Sequence, residues 1–376
     1  TVSAWNGYEW SSVQPKVTGL NQRVLTVNFS CGSSITCTNY HEFLVPIGYT
    51  GDFYRVQASD LKVGAKIKKF QYPVIQNGES VDVKIAYTQG FVSGDGMDNY
   101  DWLWLYSPRF MCLDRLAFNT VWSPNNDDRR RVNLSFIPKM KSFVPHSWDL
   151  RSRCLWLAGL CDSDGCLLNE GGIQIGSIDK AFLSEVQLML NTMGVSSKVV
   201  LRNDPGMRMM PDGHGGLKGY WCQQSYGLCI SAQDVQLLRD LGLNTSRMDL
   251  DGYTPNRNAS RFPTVISIED SGIAAEVYCF NEPKRHMGCF NGIVTGQCTE
   301  VTSEYDSDVC NLGSVNLGNI DSIQELSDVC RRASMFLVCG TLRADLPYRK
   351  VHLVREKNRR LGLGLMGIHE WLLQRG

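Results

Sequence analysis

Residues 157–165 read Leu157-Ala-Gly-Leu-Cys-Asp-Ser-Asp164-Gly165, and residues 88–96 read Thr88-Gln-Gly-Phe-Val-Ser-Gly-Asp95-Gly96. Each runs Gly, apolar, apolar, and closes on Asp-Gly. The two acids lie 69 residues apart, too far for a solenoid repeat and suited to a duplicated half-domain. Each stretch reads as a helix with small residues on one face, ending in an acid and a glycine cap. Gly90, Ala158 and Gly159 would let two helix backbones approach closely. An Asp at a helix C-terminus opposes the macrodipole, which favours a cation there. Taken singly, either Asp-Gly is an ordinary helix end. As a pair, Asp95 and Asp164 would repel, and a divalent cation would relieve the repulsion. Carboxylate oxygens suit Mg²⁺, and an ion shared between two carboxylates can activate water and stabilise a leaving oxygen in phosphodiester hydrolysis.

Outward from these stretches the character of the chain changes several times. Residues 1–80 read as β, with short alternating runs such as Val24-Leu-Thr-Val-Asn-Phe separated by turn residues. Residues 81–250 hold longer helical patterns, including the run from Phe182 stopped at Gly194. Asp249–Arg261 is rich in Asp, Asn, Pro and Gly and reads as a linker. Residues 262–297 return to β, and the chain ends in a helical run. A domain inserted into a β module accounts for this order.

The second stretch closely resembles the signature of the LAGLIDADG homing endonucleases. The first is a degenerate copy, with Thr88-Gln89 where the family has Leu-Ala. The resemblance implies a duplicated αββαββα fold over the DNA major groove, with Asp95 and Asp164 as catalytic metal ligands for Mg²⁺. Gly172-Ile-Gln-Ile-Gly and Tyr226-Gly-Leu-Cys-Ile-Ser fit DNA-facing strands of such a fold.

The flanking β segments carry a second resemblance. Thr38-Asn-Tyr-His41, Arg55–Gly64 and the stretch Val277-Tyr-Cys279 through His286 to Gln297-Cys298 resemble the splicing blocks of inteins, which often carry a LAGLIDADG nuclease. On that resemblance His41 with Thr38 polarises the N-terminal junction amide. Cys298 is the nucleophile for transesterification. Gln297 cyclises in place of the usual Asn, His286 assists it, and Cys279 stands where the family often has Asp. The family's first-residue Cys or Ser would lie before Thr1, so the sequence is expected to be a fragment that does not complete splicing as given.

Beyond Gln297, Cys298-Thr-Glu300, Asp308–Leu317 and Arg359–Gly367 resemble the large subunit of ribonucleotide reductases. This implies that Cys298 is the thiyl-radical cysteine, Glu300 the neighbouring acid/base and Cys310 one member of the redox pair. The fold expected is therefore mixed: an all-β Hint splicing domain (1–80 and 251–297), an α/β LAGLIDADG endonuclease inserted at 81–250, and a partial α/β reductase segment at 298–376. The partners expected are double-stranded DNA of the uninterrupted reductase gene and the flanking extein segments. Two other readings compete: a reductase fragment with an inert insert, and a LAGLIDADG module that binds DNA without cutting. Retention of both acids favours cutting over the last.

Composition bounds these readings. The 376 residues suggest two or three domains. No apolar run is long enough to span a bilayer, and the start lacks the pattern of a signal peptide. The 14 cysteines include no CxxC pair, which disfavours a zinc ribbon and fits reduced thiols in a cytoplasmic protein. The net charge of zero argues mildly against nucleic acid. Residues 81–250 hold 17 basic and 18 acidic side chains, so DNA affinity would need local placement. Arg129, Arg130, Arg131, Lys139, Lys141 and Lys198 are the candidates.

Overall fold

Both motif stretches fold as helices that are buried on nearly every side, which is why neither shows a polar stripe. The computed structural model describes residues 1–376 except 49–50, 96–100, 124–128, 135–140, 212–215, 252–254, 256–261, 297–307, 347 and 376. Helix α1 (Val83–Asp95) is started by Asp82, whose Oδ1 accepts the N–H groups of Lys84 and Ile85 at 3.0 and 3.1 Å. Helix α2 (Leu150–Asp164) is capped by Asp149, which accepts from the Ser152 N–H at 2.7 Å. The two helices pack backbone to backbone. A Cβ at Gly90 would overlap the Trp156 carbonyl, one at Gly159 the Tyr87 carbonyl, and one at Gly94 the Ser163 hydroxyl. The absence of side chains here lets the helix ends, and the acids on them, meet.

The chain divides into two compact units, Thr1–Cys298 and Thr299–Gly376. In the first, α1 and α2 share one core with the inner faces of two antiparallel sheets. One has the order Trp102–Tyr106, Arg129–Asn133, Val121–Trp122. The other has the order Gly165–Leu167, Ile173–Ser177, Ser225–Ile230, Ser197–Asn203. Helices α3 (Lys180–Asn191) and α4 (Ala232–Asp240) complete the second half, and its core includes Leu157, Leu160, Ile173, Ile175, Leu183, Val199 and Leu228. The halves are unequal. Among the described residues the first has a 3₁₀ turn at Arg109–Arg115 where the second has a full helix. Four prolines between residues 107 and 149 work against a longer helix there.

The flanks of this module join across it. Strand Lys16–Phe29 pairs with Val265–Cys279 over most of its length, from Phe29 opposite Val265 to Lys16 opposite Cys279. Glu42–Pro46 pairs with Phe53–Gln57 and meets Ile293–Gly296 at Phe43 opposite Thr295. Val27, Phe29, Ile35, Phe43, Ile67, Val265 and Ile293 form a core separate from that of the helices.

In the second unit, Asn311–Asn316 and Leu361–Met366 are parallel neighbours. Parallel strands need a long crossover, supplied here by α5 (Ile323–Arg343) and α6 (Arg349–Asn358); a short α7 (Ile368–Leu373) follows. Ser322 accepts from the Glu325 N–H at 3.1 Å while Glu325 accepts from the Asp321 N–H at 2.9 Å, a reciprocal start to α5. The fold is mixed α/β, in seven small sheets among the described residues, none closed into a barrel. No described helix is long and apolar enough to cross a membrane.

Candidate functional site

Asp95 and Asp164 end α1 and α2 side by side, joined by a cation from neither helix. Arg109, at the start of the 3₁₀ turn, places Nη1 2.7 Å from Asp95 Oδ2 and Nη2 3.9 Å from Asp164 Oδ1. Its Nη2 also donates to the Ser163 carbonyl at 2.6 Å, where the end of α2 carries partial negative charge. Burial pushes the Asp95 carboxyl up to about 6, with the Asp164 charge adding to the shift and Arg109, Arg247 and Lys141 opposing it. Burial raises Asp164 as well, against the same three cations. The donor set is that of a divalent-cation site, two hard-oxygen carboxylates close enough to share a hydrogen bond, and the Arg109 guanidinium lies against them, nearer Asp95 than Asp164. Among the described residues no group of three or more His, Cys, Asp or Glu side chains is arranged to hold a metal.

A second acid in the same motif does structural work. Asp162 lies two positions from Asp164, about 200° around the helix, and is fully buried. It accepts from the Tyr87 hydroxyl at 2.6 Å and from the Ser246 and Arg247 N–H groups, each at 2.8 Å. The Arg247 side chain then donates to the carbonyls of Asp162 at 2.8 Å and Cys161 at 3.0 Å, closing the end of α2. Arg109, Asp162 and Arg247 are absent from the sequence reading. Only Asp162 had a signal there: an acid inside a motif helix facing away from the terminal Asp.

Each sheet of the module turns a polar face away from the core. On the first, Trp104, Arg131 and Trp122 are cross-strand neighbours. The Arg131 guanidinium lies 4.2 Å from the Trp102 ring centre and Arg129 lies 4.9 Å from that of Trp104. These stacks hold two cations in fixed positions. Arg130 alternates to the other side and stacks on Phe110 at 4.7 Å, so it leaves this layer. On the second sheet Gln174, Cys229 and Lys198 form a row. Arg202 comes within 3.1 Å of where a Gly176 Cβ would stand. Lys141 is exposed, and Lys139 lies outside the described residues.

The residues expected to act in splicing occupy the flanking β module. His41 Nε2 is 2.9 Å from Thr295 Oγ1, and burial lowers the imidazole to about 4, only partly offset by Glu42. Thr38 is buried, and its carbonyl accepts from the His41 N–H at 3.1 Å. His286 adopts a left-handed φ of 54°, and its buried Nδ1 has no hydrogen-bond partner among the described residues. Burial raises the Cys279 thiol, which suppresses the thiolate a nucleophile needs. Gln297, Cys298 and Glu300 lie outside the described residues. In the second unit Cys310 is half-buried just before the strand Asn311–Asn316, beside Gly362 of the parallel neighbour. Asp308, which accepts from Asn358 Nδ2 at 2.8 Å and Arg360 Nε at 2.6 Å, ties the approach to one strand to the approach to the other.

Comparison with known proteins shows which family this arrangement belongs to. Residues 26–376 match the ribonucleotide reductase barrel domain. The chain belongs to the ribonucleotide reductase large-subunit family. It is 34% identical over 403 residues to the ribonucleoside-diphosphate reductase large subunit of Invertebrate iridescent virus 6, covering 100% of this chain and 42% of that protein. It is 25% identical over 441 residues to the reductase NrdEB subunit alpha of Bacillus subtilis, covering 96% of this chain and 40% of that one. The chain thus spans about two fifths of the length of these reductases. Among solved structures it is similar to mesophilic variants of the homing endonuclease I-DmoI, at 18% identity and a TM-score of 0.28, over 45% of this chain and 98% of that one. It is similar also to I-DmoI in complex with DNA and Ca, at 17% identity and a TM-score of 0.29, over 44% of this chain and 93% of that one.

These matches correct the expectation of an intein. The reductase match runs through the β module and the inserted helices as well as the tail, and the relatives aligned over the whole chain are reductase subunits. In that module His41 is half-buried and hydrogen-bonded to Thr295, with burial lowering its imidazole and raising the Cys279 thiol. The motif reading failed here because a TxxH turn and a strand-borne cysteine are equally ordinary parts of a β module.

Proposed function

We propose that the chain is a segment of a ribonucleotide reductase large subunit whose residues 81–250 form a LAGLIDADG-type module that binds double-stranded DNA without cutting it. Residues 1–80 and 251–297 form the β module that carries it, and 298–376 belong to the reductase proper. The observation that carries the DNA reading is the pair of outward sheet faces. Arg129 and Arg131 are held over tryptophan rings on one, and Lys198 and Arg202 cross the other. Phosphates are bound by such locally placed cations whatever the total charge. Cutting would call on the carboxylate pair, whose negative charge is met by Arg109. The test is fluorescence anisotropy of a mixed-sequence duplex with the full chain in EDTA, followed by Mg²⁺ and a denaturing gel. Binding with intact strands is expected. Absence of binding, or cleavage on adding Mg²⁺, contradicts the reading.

In the reductase segment, Cys298, Glu300 and Cys310 take the roles their resemblance implies: radical cysteine, neighbouring acid and redox-pair member. Cys310 is half-buried just before the strand Asn311–Asn316 and lies beside Gly362 of its parallel neighbour, so its thiol sits where the two strands begin. Cys310→Ser in the full-length reductase should abolish turnover driven by a dithiol reductant while leaving nucleotide binding intact. Unchanged turnover would remove Cys310 from the pair.

A further inference from the structure

We infer that Arg109 is a built-in counter-ion that occupies the place of a divalent cation between Asp95 and Asp164, so that the free protein does not take up such an ion there. The inference rests on reading this module as one of LAGLIDADG type, and adds what controls its carboxylate pair.

The geometry is specific. The guanidinium fork reaches Asp95 Oδ2 at 2.7 Å with one nitrogen and Asp164 Oδ1 at 3.9 Å with the other, while that second nitrogen also donates to the Ser163 carbonyl at 2.6 Å. Arg109 therefore meets three negative or partly negative groups that would otherwise converge at the paired helix ends. All three charged side chains are largely shielded from water, at 28% exposure for Arg109, 20% for Asp95 and 31% for Asp164. Screening is weaker at such a site than on the open surface. The contacts are also fixed from below. Gly94 leaves room for Ser163 and Asp164 against α1, and Arg247 holds the end of α2 through the carbonyls of Cys161 and Asp162.

A divalent ion entering between the carboxylates must displace the guanidinium, breaking the ion pair and the bond to Ser163. A hard cation with oxygen ligands is the class the vacated pair would accept. The planar fork matters, because a lysine ammonium at the same position is a single point and cannot meet the Asp95 carboxylate with one nitrogen while donating to the Ser163 carbonyl with another.

The experiment is Mn²⁺ binding to the full chain, followed by the electron paramagnetic resonance signal of free Mn²⁺, without DNA. Four proteins are compared: the parent, Arg109→Ala, Arg109→Lys, and Arg109→Ala combined with Asp164→Asn. Arg109→Ala should bind Mn²⁺ roughly tenfold or more tightly than the parent, as expected when a shielded, charge-assisted pair no longer has to be broken. Arg109→Lys should fall between them, and it carries the comparison if the alanine variant does not fold. Adding Asp164→Asn should remove the gain. Equal binding by the parent and both Arg109 variants would overturn the inference, as would no binding by any of them. Duplex affinity measured in EDTA is a separate readout. Its loss would refute the DNA reading and leave the metal result standing.

Discussion

Asp95 sits at a helix C-terminus, shielded from water and beside a second carboxylate. Burial first, and then the Asp164 charge, raise its carboxyl from 3.8 to about 6. A carboxyl raised by folding holds its proton more tightly folded than unfolded. Its stabilising contribution is complete below pH 3.8, and is lost as pH rises through about 6. Asp95→Asn should therefore raise the urea midpoint at pH 7.5, by about 2 kcal/mol in stability, and leave it nearly unchanged at pH 4. Chemical denaturation of both proteins across that range checks this, and a variant less stable than the parent at pH 7.5 would speak against it. At this scale the sequence was half legible. The two acids and their juxtaposition could be read from a repeated Gly-apolar-apolar pattern. Arg109 could not, because it comes from a short 3₁₀ turn with no periodicity, and its partners are defined only once the helices have met. His41 was legible as a residue, but the half-burial of its ring and its bond to Thr295 are tertiary properties that no local pattern states.

At the scale of elements, the α1–α2 contact organises the module. Small residues are needed where a helix backbone meets another, and here Gly90 faces the Trp156 carbonyl while Gly159 faces that of Tyr87. Both neighbours are backbone atoms of a buried helix and cannot swing aside. Gly159→Ala, which on an exposed helix would stabilise, should instead cost about 3 kcal/mol or more through overpacking. Thermal unfolding measures this, and a higher melting temperature in the variant would mean the helices are further apart than described. The helices were readable because their small residues and terminal acids recur at matching positions. The inequality of the two halves was less readable, since prolines say where helix ends but not which element replaces it. Asp162 shows why a motif is more than its last acid: two residues from Asp164, it points to the opposite side and anchors Ser246 and Arg247 through their backbone N–H groups.

For the whole molecule, the decisive correction concerns the β module. Strands from both ends of residues 1–297 do share one core, with Val27 and Phe29 packed beside Val265 and Ile293, but shared strands do not specify splicing chemistry. The relatives that align through this region are reductase large subunits. The neutral total charge likewise hid the distribution that matters: cations stacked on Trp102 and Trp104, and Lys198 and Arg202 on the second sheet. The most direct test of the account is the salt dependence of duplex DNA binding by the full chain in EDTA, for the parent and for Arg131→Ala combined with Lys198→Ala. Log affinity should fall linearly with log salt, with a slope shallower by about 2 in the double variant. Binding that is insensitive to salt, or an identical slope in the two proteins, would contradict it.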